Sequence, residues 1–75
     1  MLNAAEAALE YEDCGRDLKH YSTQYPTDSD AARALFDYVR SESRILRRLL
    51  GEAPYSELLR LVRRHREKQK GRLVQ

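Results

Sequence analysis

The stretch from Ser29 to Leu50 constrains the fold most, because its apolar and its cationic residues both recur at helical spacing. The apolar stripe is predicted to comprise Ala32, Leu35, Val39, Leu46 and Leu49, widened by Phe36, Tyr38, Ile45 and Leu50. The second row follows another side of the helix and comprises Arg33, Asp37, Arg40, Arg44 and Arg47, with Arg48 beside it. At 1.5 Å per residue this row extends about 21 Å. The pattern predicts a helix over 29–50 with a straight cationic edge.

A helix is predicted on each side of this stretch. Residues of about 3–24 carry a heptad seam of Ala4, Ala7, Tyr11, Cys14, Leu18, Tyr21 and Tyr25. Asn3 is the expected N-cap, and Gly15 in the middle of the seam suggests close approach of another backbone. Pro26 ends the pattern, with Asp28 or Ser29 as the next N-cap.

The third helix is expected over about 54–70. Gly51 is the predicted C-cap of the preceding helix, Pro54 lies in the first turn of the third, and Gly71 ends it. Residues 66–75 form a basic tail, which is interpreted either as a solvated end or as an arm for a polyanion.

These patterns predict an all-α protein with a single domain over 1–75. It is expected to be an antiparallel hairpin of two long helices plus a shorter third helix. A chain of 75 residues buries only about 60% of its unfolded surface. The single cysteine, Cys14, allows no internal disulfide, and His20 and His65 are too far apart in sequence to suggest a metal cluster. Pairing with a second copy of the chain, as a homodimer, is therefore the expected source of added stability.

Charge is distributed unevenly along the chain. Residues 1–32 contain two basic and seven acidic side chains, whereas residues 33–75 contain twelve basic and five acidic ones. This asymmetry is typical of a half that binds a polyanion. Attraction between the two halves, within one chain or between two, explains it equally well.

Several classes of function are not expected. The sequence has no glycine-rich phosphate loop, no paired-cysteine metal spacing and no nucleophile beside a base, so we expect neither an enzyme nor a cofactor, and no small-molecule substrate. No apolar run reaches the roughly 20 residues of a membrane span. One cysteine and no signal peptide predict a reducing, intracellular setting.

The arginine row suggests duplex RNA as a partner. The chain has eleven arginines against three lysines, and the guanidinium fork matches phosphate oxygens. The row follows the whole helix instead of its first turn, which is unlike a base-reading helix and suits recognition of A-form shape. The candidate RNA-binding residues are Arg33, Arg40, Arg44, Arg47, Arg48 and Arg60. The plainer interpretation is a solvated helix face, on which surface ion pairs contribute about 0–1 kcal/mol.

Ser43-Arg44, Leu49-Leu50 and Pro54 leading into a third helix resemble the small RNA-silencing suppressors of nodaviruses, over roughly residues 10–62. The resemblance implies a dimeric four-helix bundle whose long helices lie along double-stranded RNA without reading its sequence. It implies that duplexes are hidden from the dicing enzyme in the host cytoplasm and that small interfering RNAs are held. Arg44 matches that family's key arginine. The chain departs from the family in a turn one residue longer before Pro54 and in a more basic third helix.

Two other functions fit the same patterns. The heptad seam of residues 4–25 also suits a small helical interaction module, such as a bacterial or phage adaptor, inhibitor or secretion co-chaperone. A DNA-binding regulator is the third candidate. Preference among duplex RNA, duplex DNA and single strands distinguishes these candidates.

Overall fold

The computed structural model describes residues 3–24 and 29–74 and places them in four α-helices. These are α1 (Ala4–Asp13), α2 (Leu18–Gln24), α3 (Ser29–Leu50) and α4 (Glu52–Val74). No strand occurs within the described ranges, which confirms the predicted all-α class. The bounds of α3 agree with the prediction. Tyr25 and the predicted turn around Pro26 lie outside the described residues.

The predicted single helix over about 3–24 is wrong, because the chain forms α1 and α2 with a break between them. Asn3 begins α1 as predicted, with its side-chain oxygen accepting the Glu6 N–H at 2.8 Å. At the other end Gly15 has a φ of +69°, and the Arg16 N–H donates to the carbonyl of Tyr11 at 3.2 Å, which is a Schellman-type ending. Nothing lies within 4 Å of where a Cβ on Gly15 would be, so the glycine is needed for its backbone conformation and not for close packing.

The third predicted helix is also longer than expected. Gly51, with a φ of +92°, separates α3 from α4, and its N–H donates to the carbonyl of Arg47 at 2.8 Å. The predicted cap is thus confirmed, and Pro54 lies in the first turn of α4. The helix continues past Gly71 to Val74, so the prediction of a short third helix ending at Gly71 is wrong. With 23 residues, α4 is about as long as α3.

The core consists of two clusters on opposite sides of α1. The cluster against α2 and α3 contains Ala7, Cys14, Tyr21, Phe36 and Val39, with Tyr11 and Leu18 packed beside it. The cluster against α4 contains Ala8, Leu9, Tyr55 and Leu59, with Leu46 and Val62 beside it. Five described members of the predicted seam, Ala7, Tyr11, Cys14, Leu18 and Tyr21, therefore belong to one cluster in spite of the break. Adjacent small alanines let α1 contact both long helices.

The predicted apolar stripe of α3 is only partly buried. Ala32, Phe36 and Val39 are buried as expected, and Ser43 joins them on the same arc. Five large apolar side chains of α3 and α4 stay exposed, namely Leu35 (40%), Ile45 (51%), Leu49 (76%), Leu50 (41%) and Leu61 (50%). Four of the nine predicted stripe residues, Leu35, Ile45, Leu49 and Leu50, are therefore exposed in the single chain.

Candidate nucleic-acid interface

Helix α3 presents three different arcs when its residues are placed at about 100° each around the axis. One arc is buried against α1 and α2. The second carries the exposed arginines Arg33, Arg40, Arg44 and Arg48. The third carries the exposed apolar side chains Leu35, Ile45 and Leu49. The cationic and the unpartnered apolar arcs lie on different sides of one 22-residue helix.

The exposed cationic arc is only lightly neutralised. Arg40 is paired with Asp37 at 3.5 Å, but both side chains are about half exposed, and such pairs contribute about 0–1 kcal/mol. Arg33, Arg44 and Arg48 make no ion pair within the residues that the structure describes. Their guanidinium groups therefore remain available to an anionic ligand.

Arg47 differs from the other predicted RNA contacts because its guanidinium binds side chains of α1 and α4. One Nη2–H donates to Glu12 Oε1 at 2.7 Å, and Nε lies 3.2 Å from Glu52 Oε1 in an ion pair whose geometry is not that of a hydrogen bond. The guanidinium also lies over the Tyr55 ring, 4.7 Å from its centroid. With 31% of its side chain exposed, Arg47 joins α1, α3 and α4.

Glu12 is the centre of this junction. Besides Arg47, its Oε1 accepts the Tyr55 hydroxyl at 3.2 Å and an Nη2–H of Arg16 at 3.1 Å. Since Tyr55 donates its one proton to Glu12, Ser43 is the donor in the buried 2.6 Å hydrogen bond between the two hydroxyls. Burial raises the pKa of Tyr55 above its ordinary value. This network fixes the cationic helix against the rest of the chain.

The acidic and basic halves of the sequence attract each other inside the chain, which was one of the two interpretations of the charge asymmetry. On α4, Arg63 pairs with Asp13 at 2.9 Å, and Arg66 pairs with Glu10 at 2.9 Å and Asp13 at 3.5 Å. Burial raises the pKa of Glu10 in spite of the opposing effect of Arg66. The carboxylates of α1 thus neutralise one side of α4 and leave the exposed arc of α3 cationic.

Arg60, the remaining predicted contact, lies on α4 and not in the row on α3. It pairs with Glu57 at 3.3 Å, and both side chains are largely exposed. The structure therefore brings Arg33, Arg40, Arg44 and Arg48 onto one arc, leaves Arg47 beside it in a structural role, and places Arg60 on a different helix.

Arg16 is a cationic neighbour of this arc that was absent from the predicted site. It lies in the turn between α1 and α2 with a φ of +60°, which is unusual for a residue with a Cβ. A local signal was present in the sequence, because Gly15 followed two residues later by Asp17 is a helix C-cap followed by an N-cap. Asp17 does cap α2, accepting the Lys19 N–H at 2.9 Å.

Other kinds of site find no support in the described part of the chain. Among residues 3–24 and 29–74 no cluster of three or more His, Cys, Asp or Glu side chains could hold a metal ion. Within the same ranges, each helix is too short or too polar to cross a bilayer. Comparison with protein-family models, curated proteins and solved structures finds no match for this chain.

Proposed function

We propose that the protein is a homodimeric, sequence-independent binder of duplex RNA that suppresses RNA silencing. It would shield long duplexes from dicing and hold small interfering RNAs. The observation that carries this proposal is the exposed arginine arc of α3, three of whose four members have no ion pair within the described residues. The resemblance around Ser43-Arg44 and Leu49-Leu50 to nodavirus suppressors supports the biological role. The host cytoplasm is the expected location.

The geometry of the arc suits a duplex better than a single strand. From Arg33 to Arg48 the helix rises about 22 Å, and the junction at Glu12 holds it rigid. A straight, rigid row of guanidinium groups can follow phosphates that a duplex holds at fixed spacing, whereas a flexible strand would have to be ordered first. The wide minor groove of A-form RNA presents 2′-hydroxyls and phosphates to such a surface.

The apolar arc of α3 supports pairing of two copies. Leu35, Ile45 and Leu49 are exposed apolar side chains on one arc of α3, with Glu42 between them. Contact between the apolar arcs of two copies would remove these side chains from water, with about 25 cal/mol gained for each Å² buried. Because the arginine arc lies on a different side of the helix, such pairing leaves the arginines of both copies exposed.

Binding of labelled duplexes of about 20–25 base pairs tests the proposal directly. Duplex RNA should bind more tightly than duplex DNA or single-stranded RNA. If two copies each contribute four arginines, the slope of log K against log salt is about −7, and affinity falls about 10⁴-fold between 50 and 200 mM salt. Preference for DNA, or a slope near zero, would refute the proposal.

A helical protein-interaction module remains the second candidate, favoured by the 76% exposure of Leu49. In that case the apolar arc docks a different protein, and the arginines are only solvated. Light scattering after size exclusion separates the two functions when combined with the duplex assay. A dimer that binds duplex RNA supports the first, whereas a monomer without RNA affinity supports the second.

A further inference from the structure

A small cleft beside the arginine arc has a lining unlike the rest of the surface. It has a volume of about 110 Å³ and lies between the turn that follows α1 and the middle of α3. Its lining consists of Tyr11, Arg16, Arg40, Ser43, Arg44 and Arg47. Four arginines thus line one cleft, and no acidic residue is among the described residues of its lining.

Three of the four guanidinium groups contact aromatic rings. Arg16 lies over the Tyr11 ring at 5.8 Å, Arg40 over Phe36 at 5.9 Å and Arg47 over Tyr55 at 4.7 Å, measured to the ring centroids. Cation–π contacts of this kind favour the bound position of a guanidinium and lower the entropy lost when it binds, most of all for Arg47, which is nearest to its ring.

Glu12 holds two of the four arginines from one side without using all their donors. Arg16 and Arg47 each direct an Nη2–H to its Oε1. A guanidinium has five N–H donors, so each retains others for a second acceptor. Arg44 also lines the cleft and makes no ion pair within the described residues, so no carboxylate there occupies its N–H donors.

Size and charge identify the class of ligand. The volume is roughly that of four water molecules at about 30 Å³ each, which is sufficient for the five non-hydrogen atoms of a phosphate group. Three of these arginines are partly neutralised by Glu12, Asp37 and Glu52, whereas Arg44 has no carboxylate partner within the described residues. A tetrahedral anion with several acceptor oxygens can accept from Arg44 and from the unused N–H donors of the other three. Beyond Arg40 the surface opens into a wider cleft that also contains Asp17 and Asp37, so the narrow part is the better anion site.

We propose that this cleft binds a phosphate group of the nucleic acid and that Arg16, from the turn between α1 and α2, is one of its ligands. The inference rests on the proposed function and extends the contact from the α3 arc onto a second element of the fold. Arg16 keeps a left-handed backbone that a glycine would adopt without steric cost, which is consistent with a side chain needed for binding.

Arg16→Gly is the most informative variant, because it should change stability and binding in different ways. It removes the guanidinium with its largely exposed pair to Glu12, which contributes about 0–1 kcal/mol, and it relieves the strain of the positive φ, so Tm should change little. Affinity for duplex RNA should fall about tenfold or more. Arg16→Lys keeps the charge but loses the planar fork, and should give a smaller loss. Arg64→Gln, which removes one charge from an exposed position of α4, is the matched control and should have little effect.

Duplexes with and without 5′-phosphates identify the source of the bound group. An equal loss of affinity by Arg16→Gly for both duplexes assigns the cleft to a backbone phosphate, and a loss confined to the 5′-phosphorylated duplex assigns it to a terminal one. Unchanged affinity for both would overturn the proposal.

Titration of the parent protein with inorganic phosphate, followed by NMR of the arginine side chains, separates this inference from the proposed function. Shifts at Arg40 and Arg44 that are lost in Arg16→Gly support the cleft, even if duplex RNA fails to bind. Duplex binding without these shifts, and without an effect of Arg16→Gly, leaves the proposed function intact and refutes the cleft.

Discussion

Replacing Arg44 and Arg47 separately by glutamine tests the division of the arginine row into binding and structural members. Arg44 is exposed and makes no ion pair within the described residues, whereas Arg47 is paired with Glu12 and Glu52 and lies over Tyr55. One substitution should therefore lower RNA affinity with the fold intact. The other should lower stability.

The magnitudes follow from these contacts. A hydrogen bond to a charged group contributes about 1.5–3 kcal/mol, so the loss of Arg44 from both copies of the proposed dimer should cost more than a hundredfold in affinity. The free energy of unfolding should change by less than about 0.5 kcal/mol, as is usual at exposed positions. For Arg47→Gln, which is partly exposed, a loss of about 1–3 kcal/mol is expected. That loss lowers Tm by about 4–8 °C for each kcal/mol in a chain of this size.

Circular dichroism melting and fluorescence anisotropy with a labelled duplex RNA measure the two quantities on the same samples. Arg64→Gln on α4 is the charge-matched control, because it also removes one exposed arginine but lies outside the α3 arc. Equal affinity of Arg44→Gln and the parent would show that the arc is only solvated. An equal loss of stability in both variants would refute the distinction between Arg44 and Arg47.

Three further predictions concern the fold. Gly51→Ala should lose about 1–2 kcal/mol in urea unfolding because of the +92° φ, and no loss would contradict the cap. Burial raises the pKa of Glu10 above its ordinary 4.5, so its contribution to stability is full below about pH 4.5 and is lost as pH rises through the raised pKa. As pH rises from about 4 to about 7, the free energy of unfolding of Glu10→Gln should therefore increase relative to that of the parent. A relative decrease over the same range would refute this prediction. Cys14 is buried, and burial also raises the pKa of its thiol. A thiol reagent should therefore modify Cys14 only after unfolding, and oxidation should not crosslink two copies. Rapid modification of the folded chain would disprove the burial of Cys14.

Local signals in the sequence were sufficient for much of the secondary structure. Asn3 and Gly51 act within one helical turn of their own positions, and the periodicity of residues 29–50 is a property of that segment alone. Gly15 carried a comparable signal that was outweighed by the unbroken heptad seam. The seam stays in register across the break, because Cys14, Leu18 and Tyr21 still reach the same cluster.

The sequence by itself determined the all-α class, the extent of α3 and the order of residues around its axis. Only the tertiary structure decided which arc of α3 is covered, which arginines are neutralised and that Arg16 lies beside Arg44. Periodicity fixes the angle of a side chain about its own helix, but burial and ion pairing depend on where other helices lie. Leu49 and Val39 belong to one predicted stripe, and only the position of α1 exposes the first and buries the second.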